Sequence, residues 1–328
     1  MVAMSLGTAG DQVFPIRQPW PTGSPTAEHR AGYAHPGYAA SLAEFGTPVE
    51  LPRSQGWLLA RPIGASGLVD AMGCYPLFDC ANWSGLAADL AVCVDKFVSV
   101  AIVTDPLGAY SEALLRESFD RVAVFKQHFV ADLTPPVNAV APYQHRYNAR
   151  QALRRVTEDA PAEPSTCLDE WCALYEQLAA RRGIDGIRRL SRASFAAQFR
   201  LPGLVVLRAR EGETTVSMHL WLVDGDVARS HLSASSDRGY ELRSSYALHW
   251  VANEYFSGKV RWLHLGAGAG LNMDATDGLS SFKRGWATGT RPAYFCGRIC
   301  DPDRYAGLAR AVGSEGTSYF PAYRLGEF

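Results

Sequence analysis

The sequence predicts an α/β protein with a mixed sheet (α+β), and two observations support this prediction. Apolar runs of strand length alternate with helical patterns along most of the chain. In addition, three strand-like runs, at residues 204–209, 214–223 and 227–234, follow one another with no helical pattern between them. Parallel neighbours need a long crossover that is usually helical, so these three runs are expected to be antiparallel. The sheet is therefore expected to be mixed rather than doubly wound and parallel.

The first half of the chain contains three runs rich in β-branched or aromatic residues and three helical patterns. The expected strands are residues 57–63, 97–103 and 122–133. The expected helices are residues 86–94, 111–119 and 143–158, the last with a basic face.

The second half opens with a helix over residues 168–178. Thr166 and Asp169 form a capping-box-like start for it, and Gly183 ends it. Between the second and third strand-like runs, Asp224-Gly225 predicts a hairpin, because both positions tolerate a positive φ.

One more helix and two more strands follow the hairpin. Leu242, Tyr246 and Trp250 have helical spacing, and Gly258 closes that helix. Residues 260–265 and 293–300 are the expected strands. The order in the second half is therefore helix, antiparallel strands, helix, strand, loop, strand.

Residues 159–166 are punctuated by proline and poor in apolar residues, and they predict a linker. It separates residues 37–158 from residues 167–328, two halves of similar make-up. Residues 1–36 are rich in Pro, Gly, Thr and Ala and lack the basic and apolar segments of a secretion signal. We expect them to be extended or poorly ordered.

The composition indicates a soluble globular protein of 328 residues, with 47% hydrophobic and 20% charged residues. The net charge of −1 provides no global attraction to nucleic acid or membrane, so a polyanionic partner must meet a local patch. No apolar run approaches the ~18–20 residues that span a bilayer, so no membrane insertion is expected. The seven cysteines include no CxxC pair, which indicates reduced thiols in a cytoplasmic protein without a metal site or a resident cofactor.

The most informative segment lies between residues 261 and 284. An apolar strand leads into Gly-Ala-Gly-Ala-Gly at residues 266–270, and Phe282-Lys283 follows in a Gly/Ser-rich setting. Glycine lets the backbone approach a ligand closely, and lysine supplies a positive charge for a phosphate or a developing oxyanion. The alternative is a strand that ends in a flexible loop, with Lys283 merely solvated.

Several motifs, taken in order, resemble those of one known family. Residues 231–236, His-Leu-Ser-Ala-Ser-Ser, precede the helix around Tyr246, and residues 262–266, Trp-Leu-His-Leu-Gly, follow it. Residues 278–286, Gly-Leu-Ser-Ser-Phe-Lys-Arg-Gly-Trp, are similar to a Gly-Leu…Phe-Lys…Phe-Gly signature but depart from its ending. In the first half, residues 73–76 and 143–155 are similar to a Tyr-Gly-Tyr-Pro-like turn and a basic Arg-x-Asn-x-Arg-x-Ala helix. Together these motifs resemble the FemABX peptidyltransferases, which have the acetyltransferase-type (GNAT) fold.

The resemblance implies a tandem pair of GNAT-like domains, the first degenerate, with a substrate cleft between or beside them. It places Lys283 at the acyl-transfer centre as the catalytic residue. Its ammonium would stabilise the negative oxygen that forms when an amine attacks an activated ester. Phe282 would supply backbone and an apolar wall beside it.

We also assign five residues to substrate binding. Arg182 is the nearest match to a substrate-contacting arginine of the family, and Tyr75 lies in the family-like turn. The five residues are Tyr75, Arg182, His231, Ser233 and Arg243. His231 is also a candidate general base, because imidazole titrates near neutral pH, but a structural role is the commoner one for a strand histidine.

Arg146, Arg150 and Arg154 are spaced four residues apart and so lie along one helix face. Like charges at this spacing slightly destabilise a helix, so an anionic partner such as the phosphates of a tRNA would explain them. The alternative is a solvated face that is partly balanced by Glu158 and Asp159.

The acyl donor is left open between two classes. CoA-dependent GNAT enzymes bind pyrophosphate with a glycine-rich loop before the central helix. The corresponding residues 237–245 contain one glycine, and Glu241 stands where a second glycine is wanted. Aminoacyl-tRNA is therefore the favoured donor, and acyl-CoA is the alternative.

The sequence thus predicts an acyl or aminoacyl transferase that forms an amide on a small-molecule or peptide amine, with aminoacyl-tRNA and that amine as its partners and no role for DNA. The first alternative is an acyl-CoA-dependent N-acyltransferase of the GNAT fold. The second is a non-catalytic ligand-binding module.

Overall fold

One mixed sheet organises the part of the chain that the computed structural model describes, residues 31–268 and 277–327. Its strands in chain order are β1 (Thr47–Leu51), β2 (Gly56–Pro62), β3 (Val69–Gly73), β4 (Ser99–Val103), β5 (Arg121–Asp132), β6 (Thr157–Asp159), β7 (Leu204–Glu211), β8 (Thr214–Asp224), β9 (Val227–Ser235), β10 (Trp262–Gly266) and β11 (Gly289–Ile299). Within the sheet they lie in the order β1-β2-β3-β4-β11-β5-β10-β9-β8-β7-β6.

Helices cover both faces of this sheet. They are α1 (Pro36–Ser41), α2 (Leu86–Val92), α3 (Glu112–Ser118), α4 (Val137–Val140), α5 (Tyr143–Leu153), α6 (Leu168–Arg182), α7 (Arg192–Gln198), α8 (Asp237–Glu241), α9 (Ser244–Phe256), α10 (Gly278–Arg284) and α11 (Pro302–Ala311). Over the described ranges, none of these helices combines the length and the apolar character that crossing a membrane requires.

The sheet contains the same four-strand arrangement twice. In each copy three antiparallel strands, β1-β2-β3 or β7-β8-β9, are followed by at least one helix. A fourth strand, β4 or β10, then pairs in parallel with the third. The mixed sheet predicted from the sequence is therefore confirmed, and its repeat agrees with a tandem arrangement.

The last strands of the two halves are exchanged. β11 lies between β4 and β5, and β5 lies between β11 and β10. The second half thus places its final strand beside β4 of the first half. The predicted linker, residues 159–166, contains the end of β6 and most of a 3-10 turn (Pro164–Cys167). The division into residues 37–158 and 167–328 stays a prediction.

The N-terminal prediction needs one correction. Residues 1–30 lie outside the described residues. Gly32–Ala34, however, form a 3-10 turn, α1 begins at Pro36, and the Tyr33 side chain is buried. Ordered structure therefore starts before residue 37, because Tyr33 packs against Tyr38 and His231.

Two predicted helix boundaries are wrong. α5 ends at Leu153 rather than at residue 158, because Thr157–Asp159 pairs with β7 as a strand. Thr166 does not cap α6, because a 3-10 turn already precedes the helix and its N-cap is Cys167. Instead, Thr166 Oγ1 donates a hydrogen bond to the main-chain oxygen of Glu163 at 2.7 Å.

Two predicted connections also differ in detail. Asp224 pairs with Val227, so the hairpin turn consists of Gly225 and Asp226, and of these only Gly225 has a positive φ, +54°. The segment expected as a loop before the last strand contains the helix α10. Asp277 caps it by accepting hydrogen bonds from the main-chain nitrogens of Leu279 and Ser280 at 2.8 and 3.0 Å.

Candidate functional site

β9 and β10 separate after a short parallel contact. Trp262–His264 of β10 pairs with Val227–Arg229 of β9, whereas β9 continues to Ser235 and, among the described strands, has only β8 beside it there. On its other side, β10 pairs with β5 and has an irregularity between His264 and Gly266. The chain leaves the sheet at this point and returns through α10.

The side chain of Lys283 extends from α10 to the point where β9 and β10 separate. Its Nζ atom donates a hydrogen bond to the main-chain oxygen of Ala267 at 2.7 Å, directly after β10. Gly266 has a φ of +77°, and a Cβ atom there would lie 3.0 Å from Lys283 Nζ, so glycine suits this position on both counts. Gly270, the last glycine of the run, lies outside the described residues.

The ammonium of Lys283 is poorly hydrated. Burial, followed by the positive charge of Lys126, lowers the pKa of Lys283 to about 8, although Asp277 opposes the shift. Lys126 on β5 donates a hydrogen bond to the main-chain oxygen of Gly268 at 3.3 Å. The two ammonium groups thus bind consecutive main-chain oxygens in the segment after β10. Together they create a positively charged position that suits an oxyanion or a phosphate.

Two buried histidines lie beside this position. His128 Nδ1 and His264 Nε2 are 2.8 Å apart, and the rings are stacked with centroids 5.0 Å apart. Burial, Arg229 and Lys283 lower the pKa of His264 to about 3, and burial, His264 and Lys283 lower the pKa of His128 well below its usual value. Both imidazoles are therefore neutral at pH 7.

A buried ion-pair network continues across β9. Arg229, in register with His264, donates from Nε to Asp105 and from Nη2 to Asp79 at 3.2 Å. Burial, only partly offset by Arg229, raises the pKa of Asp79 to about 7, with a further contribution from Asp105. Arg229 Nη1 and His264 Nδ1 are buried with no hydrogen-bond partner among the described residues. Chemically, this network can exchange a proton near neutral pH at Asp79.

Phe282, the second predicted catalytic residue, anchors α10. Its ring makes edge-on contacts with Tyr246 and His249, both at a centroid distance of 4.8 Å. The main-chain oxygen of Phe282 lies 3.0 Å from His145 Nε2 on α5. Phe282 therefore holds α10 in place through its ring and its main chain, and its predicted role as an apolar wall at the transfer centre stays a prediction.

The predicted substrate-binding residues lie in different places. Tyr75 accepts a hydrogen bond from the Tyr38 hydroxyl at its main-chain oxygen. Burial raises the pKa of Tyr75, while the nearby Arg188 lowers it. Arg182 is exposed at the end of α6. The structure therefore places these two residues around α1 and α6, not beside Lys283.

His231 is fully enclosed. Its Nδ1 lies 3.2 Å from the Tyr33 hydroxyl and its Nε2 lies 3.0 Å from Gln198 Oε1. Burial lowers the pKa of His231 to about 3. Because both ring nitrogens are engaged, the arrangement favours a structural role over that of a general base.

Ser233 and Arg243 border the helix α9. Ser233 is exposed and pairs with His219, whose ring contacts His249 edge-on at 4.7 Å. Burial, with a smaller contribution from the positive charge of Lys283, lowers the pKa of His249 to about 4. Arg243, at the N-cap of α9 with a φ of 56°, donates to Asn148 Oδ1 on α5.

The predicted arginine row lies on α5 and just beyond its end. Arg146 donates from Nη1 to the main-chain oxygens of Asn138 and Ala141, at 3.1 and 2.8 Å. Arg150 is exposed on the helix, and the exposed Arg154 is its C-cap. Arg146 thus holds the end of α4, whereas Arg150 and Arg154 point to solvent. Phosphate binding by the three stays a prediction.

The segment that would form a pyrophosphate-binding loop folds instead into the helix α8. Ser236 caps this helix by accepting a hydrogen bond from the main-chain nitrogen of Gly239 at 3.1 Å. Arg238 forms ion pairs with Glu211 and Glu241, at 2.6 and 2.8 Å. The free main-chain N–H groups that a glycine-rich loop would present are replaced here by a helical turn and two carboxylates.

Several residues of the site were not selected from the sequence: Lys126, His128, Arg229, Asp79 and Asp105. The available signal was an unusual polar residue inside a strand-like run. Lys126 and His128 alternate on β5, and Arg229 interrupts an apolar stretch of β9. Such positions are rarely charged unless they are paired, but nothing local identifies the partner.

The fold is shared with solved structures. FemX superposes with a TM-score of 0.61 and 13% identity, covering 85% of this chain and 95% of FemX. The C-terminal domain of a putative lysylphosphatidylglycerol synthetase from Agrobacterium fabrum has a TM-score of 0.60 and 12% identity, covering 86% and 94% of the two chains. L-PGS from Bacillus licheniformis has a TM-score of 0.55 and 13% identity, covering 83% and 93%.

No protein-family model and no curated protein matches the sequence. At identities of 12–13% the structural comparisons establish the fold and leave the activity to be argued from the site. The predicted mixed α/β fold and the resemblance to the FemABX proteins are confirmed at the level of the fold, which the chain shares with FemX and with the lysylphosphatidylglycerol synthetase domain.

Proposed function

We propose that this protein is an aminoacyl transferase that forms an amide on a small-molecule or peptide amine, with aminoacyl-tRNA as the donor. The observation that supports this best is the desolvated ammonium of Lys283 at the point where β9 and β10 separate. A fixed positive charge in a poorly hydrated position stabilises an oxyanion far better than one in water.

The proposed reaction follows from that charge. The amine nitrogen attacks the carbonyl carbon of the donor ester, and negative charge develops on the carbonyl oxygen next to Lys283 Nζ. The C–O bond to the ribose then breaks, the amide C–N bond remains, and the proton lost by the amine ends on the ribose oxygen. Within the described residues Ala267 occupies one of the three N–H groups of Lys283, and the proposal assigns the oxyanion to the others.

The presence of α8 where a glycine-rich loop would precede α9 supports a donor other than acyl-CoA. Glu241 and Glu211 surround Arg238, so the only arginine of α8 is already neutralised by carboxylates. A pyrophosphate at this position would meet those carboxylates and few free N–H groups. An ester-linked donor does not need this loop.

The structural neighbours point in the same direction. The name of one of them describes a putative synthetase of lysylphosphatidylglycerol, a product that contains an aminoacyl group. The resemblance to the FemABX peptidyltransferases likewise implies an aminoacyl-tRNA donor. That donor is a cytoplasmic molecule, so we propose that the reaction takes place in the cytoplasm.

The test is a donor comparison with the purified full-length protein. A pool of charged tRNA is incubated with candidate amines, and loss of the aminoacyl group is followed with and without each amine. We expect amine-dependent deacylation that Lys283→Ala slows by ~10²–10³. Turnover of acetyl-CoA or another acyl-CoA, without consumption of charged tRNA, would establish the CoA-dependent alternative. Ligand binding without turnover of either donor would indicate a non-catalytic binding module.

A further inference from the structure

One face of α5 alternates tyrosine and arginine. Tyr143, Arg146, Tyr147, Arg150 and Arg154 each lie three or four residues from another member of the set, which places all five within about 100° of the helix circumference. We call this row the α5 stripe. His145, which contacts Phe282, and Asn148, Ala149 and Ala152, which are buried, lie on the opposite side.

The two tyrosines are exposed although they are large and aromatic. The Tyr143 and Tyr147 side chains are 70% and 44% exposed, and their rings are stacked on each other with centroids 6.3 Å apart and planes 23° apart. An exposed pair of flat rings offers a stacking surface to another flat ring. Such a surface is the usual way in which proteins bind unpaired bases.

The charge of the stripe matches a polyanion. Residues 143–155 contain no acidic side chain, and neither Arg150 nor Arg154 forms an ion pair within the described ranges. The first turn of α5 also has no acidic residue and no side-chain cap at Pro142. Phosphates between stacked bases would therefore meet positive charge along the whole stripe.

We propose that the α5 stripe binds a single-stranded RNA end, with Tyr143 and Tyr147 stacking on unpaired bases and Arg150 and Arg154 contacting the phosphates between them. This inference rests on the proposed function and specifies how its donor is held. A duplex hides its base faces, so the tyrosines select the unpaired 3′ end of a charged tRNA over its stem.

The position of the stripe agrees with this role. α5 contacts α10 directly through His145 and Phe282, 3.0 Å apart, and the stripe lies on the far side of α5. The two surfaces are thus separated by one helix diameter, about 10 Å. In the proposal, the terminal nucleotides of an RNA end bound on the stripe pass around α5 to bring the ester to Lys283.

The test measures binding of two labelled RNAs, a single-stranded oligonucleotide and a blunt duplex, by fluorescence anisotropy at several salt concentrations. We expect the double variant Tyr143→Ala/Tyr147→Ala to bind the single strand about tenfold or more weakly with an unchanged salt slope. Arg150→Glu/Arg154→Glu should instead lower the log–log salt slope by at least about 1.4, which is two phosphate contacts. Tyr143→Phe/Tyr147→Phe keeps both rings and should bind like the wild type.

Two results would overturn the inference: wild-type affinity of the alanine double variant for the single strand, or equal, tyrosine-independent binding of the blunt duplex. The proposed function is tested separately by the consumption of charged tRNA. If the wild type consumes charged tRNA and the alanine variant has an unchanged KM for it, RNA binding by the α5 stripe is excluded and the proposed transferase function is supported. If the stripe binds single strands in a tyrosine-dependent way but no charged tRNA is consumed, the proposed transferase function is wrong and RNA binding by the α5 stripe is supported. Matching thermal unfolding curves show that every variant is folded.

Discussion

The Nε2 atom of His145 lies 3.0 Å from the main-chain oxygen of Phe282, the residue before Lys283. This contact joins α5 to α10 across 137 positions of sequence, and it fixes the helix that presents the ammonium. Tyr246 and Trp286 pack edge-on against the His145 ring, both at a centroid distance of 5.2 Å. The position of Lys283 is therefore determined by an aromatic cluster as much as by its own hydrogen bond.

Replacing Lys283 by alanine should lower the turnover of the transferase by ~10²–10³, as the loss of one oxyanion donor does. The fold should persist, because the substitution lies on a short, partly exposed helix. Turnover is measured as amine-dependent loss of the donor ester. Arg284→Ala is the matched control, since the adjacent Arg284 is exposed and its guanidinium lies over the Phe129 ring. Equal rates for the two variants would show that Lys283 takes no part in the reaction.

The activity should fall as the pH rises through about 8. Burial and Lys126 lower the pKa of Lys283 to about 8, so the ammonium is present below that pH and is lost above it. The pH profile of kcat/KM is measured with an acceptor amine of low pKa, which is neutral over the whole range. Lys283→Arg keeps its positive charge at every pH in this range and should show no alkaline decline. A decline that persists in the arginine variant would have to come from another group.

Asp79 should make folding stability depend on pH. Burial raises its pKa to about 7, whereas the unfolded chain has a value of about 3.9. Between these values the folded state binds more protons than the unfolded state, so this contribution to stability falls as the pH rises. Urea unfolding of the wild type and Asp79→Asn is compared from pH 4.5 to 7.5, about the limits of this window. The stability of the wild type relative to the variant should decrease with pH, by at most about 1.4 kcal/mol per unit. A constant difference would show that Asp79 is ionised in the folded state throughout.

Gly285→Ala should reduce turnover by displacing α10. A Cβ atom at residue 285 would lie 2.1 Å from His145 Nε2, so either the ring or the helix must move. Adding His145→Ala removes the overlap and should restore part of the activity lost in Gly285→Ala. Turnover and thermal unfolding are measured for both single variants and the double variant. If the double variant is no more active than Gly285→Ala alone, the overlap with His145 is not the cause of the lost turnover.

Local patterns in the sequence were sufficient for most elements of the fold. The strand runs at residues 204–209, 214–223 and 227–234 correspond to β7, β8 and β9, because the spacing of apolar residues records which face of an element is buried. The helix predicted at residue 168 also ends as expected, since Gly183 adopts the left-handed conformation with a φ of 59°. One failure, the end of α5, occurs where a distant strand provides a competing partner.

The sequence by itself determined the class of sheet, the succession of the three antiparallel strands β7, β8 and β9, and the segment that holds Lys283. Only the tertiary structure decided that β11 lies between β4 and β5, that His128 meets His264, and that the Tyr143–Tyr147 pair is left exposed. The physical reason is separation along the chain. His128 and His264 are 136 residues apart, and periodicity shows that a side chain points into the protein without showing what it meets there. Pairing across such distances is set by the packing of the whole sheet.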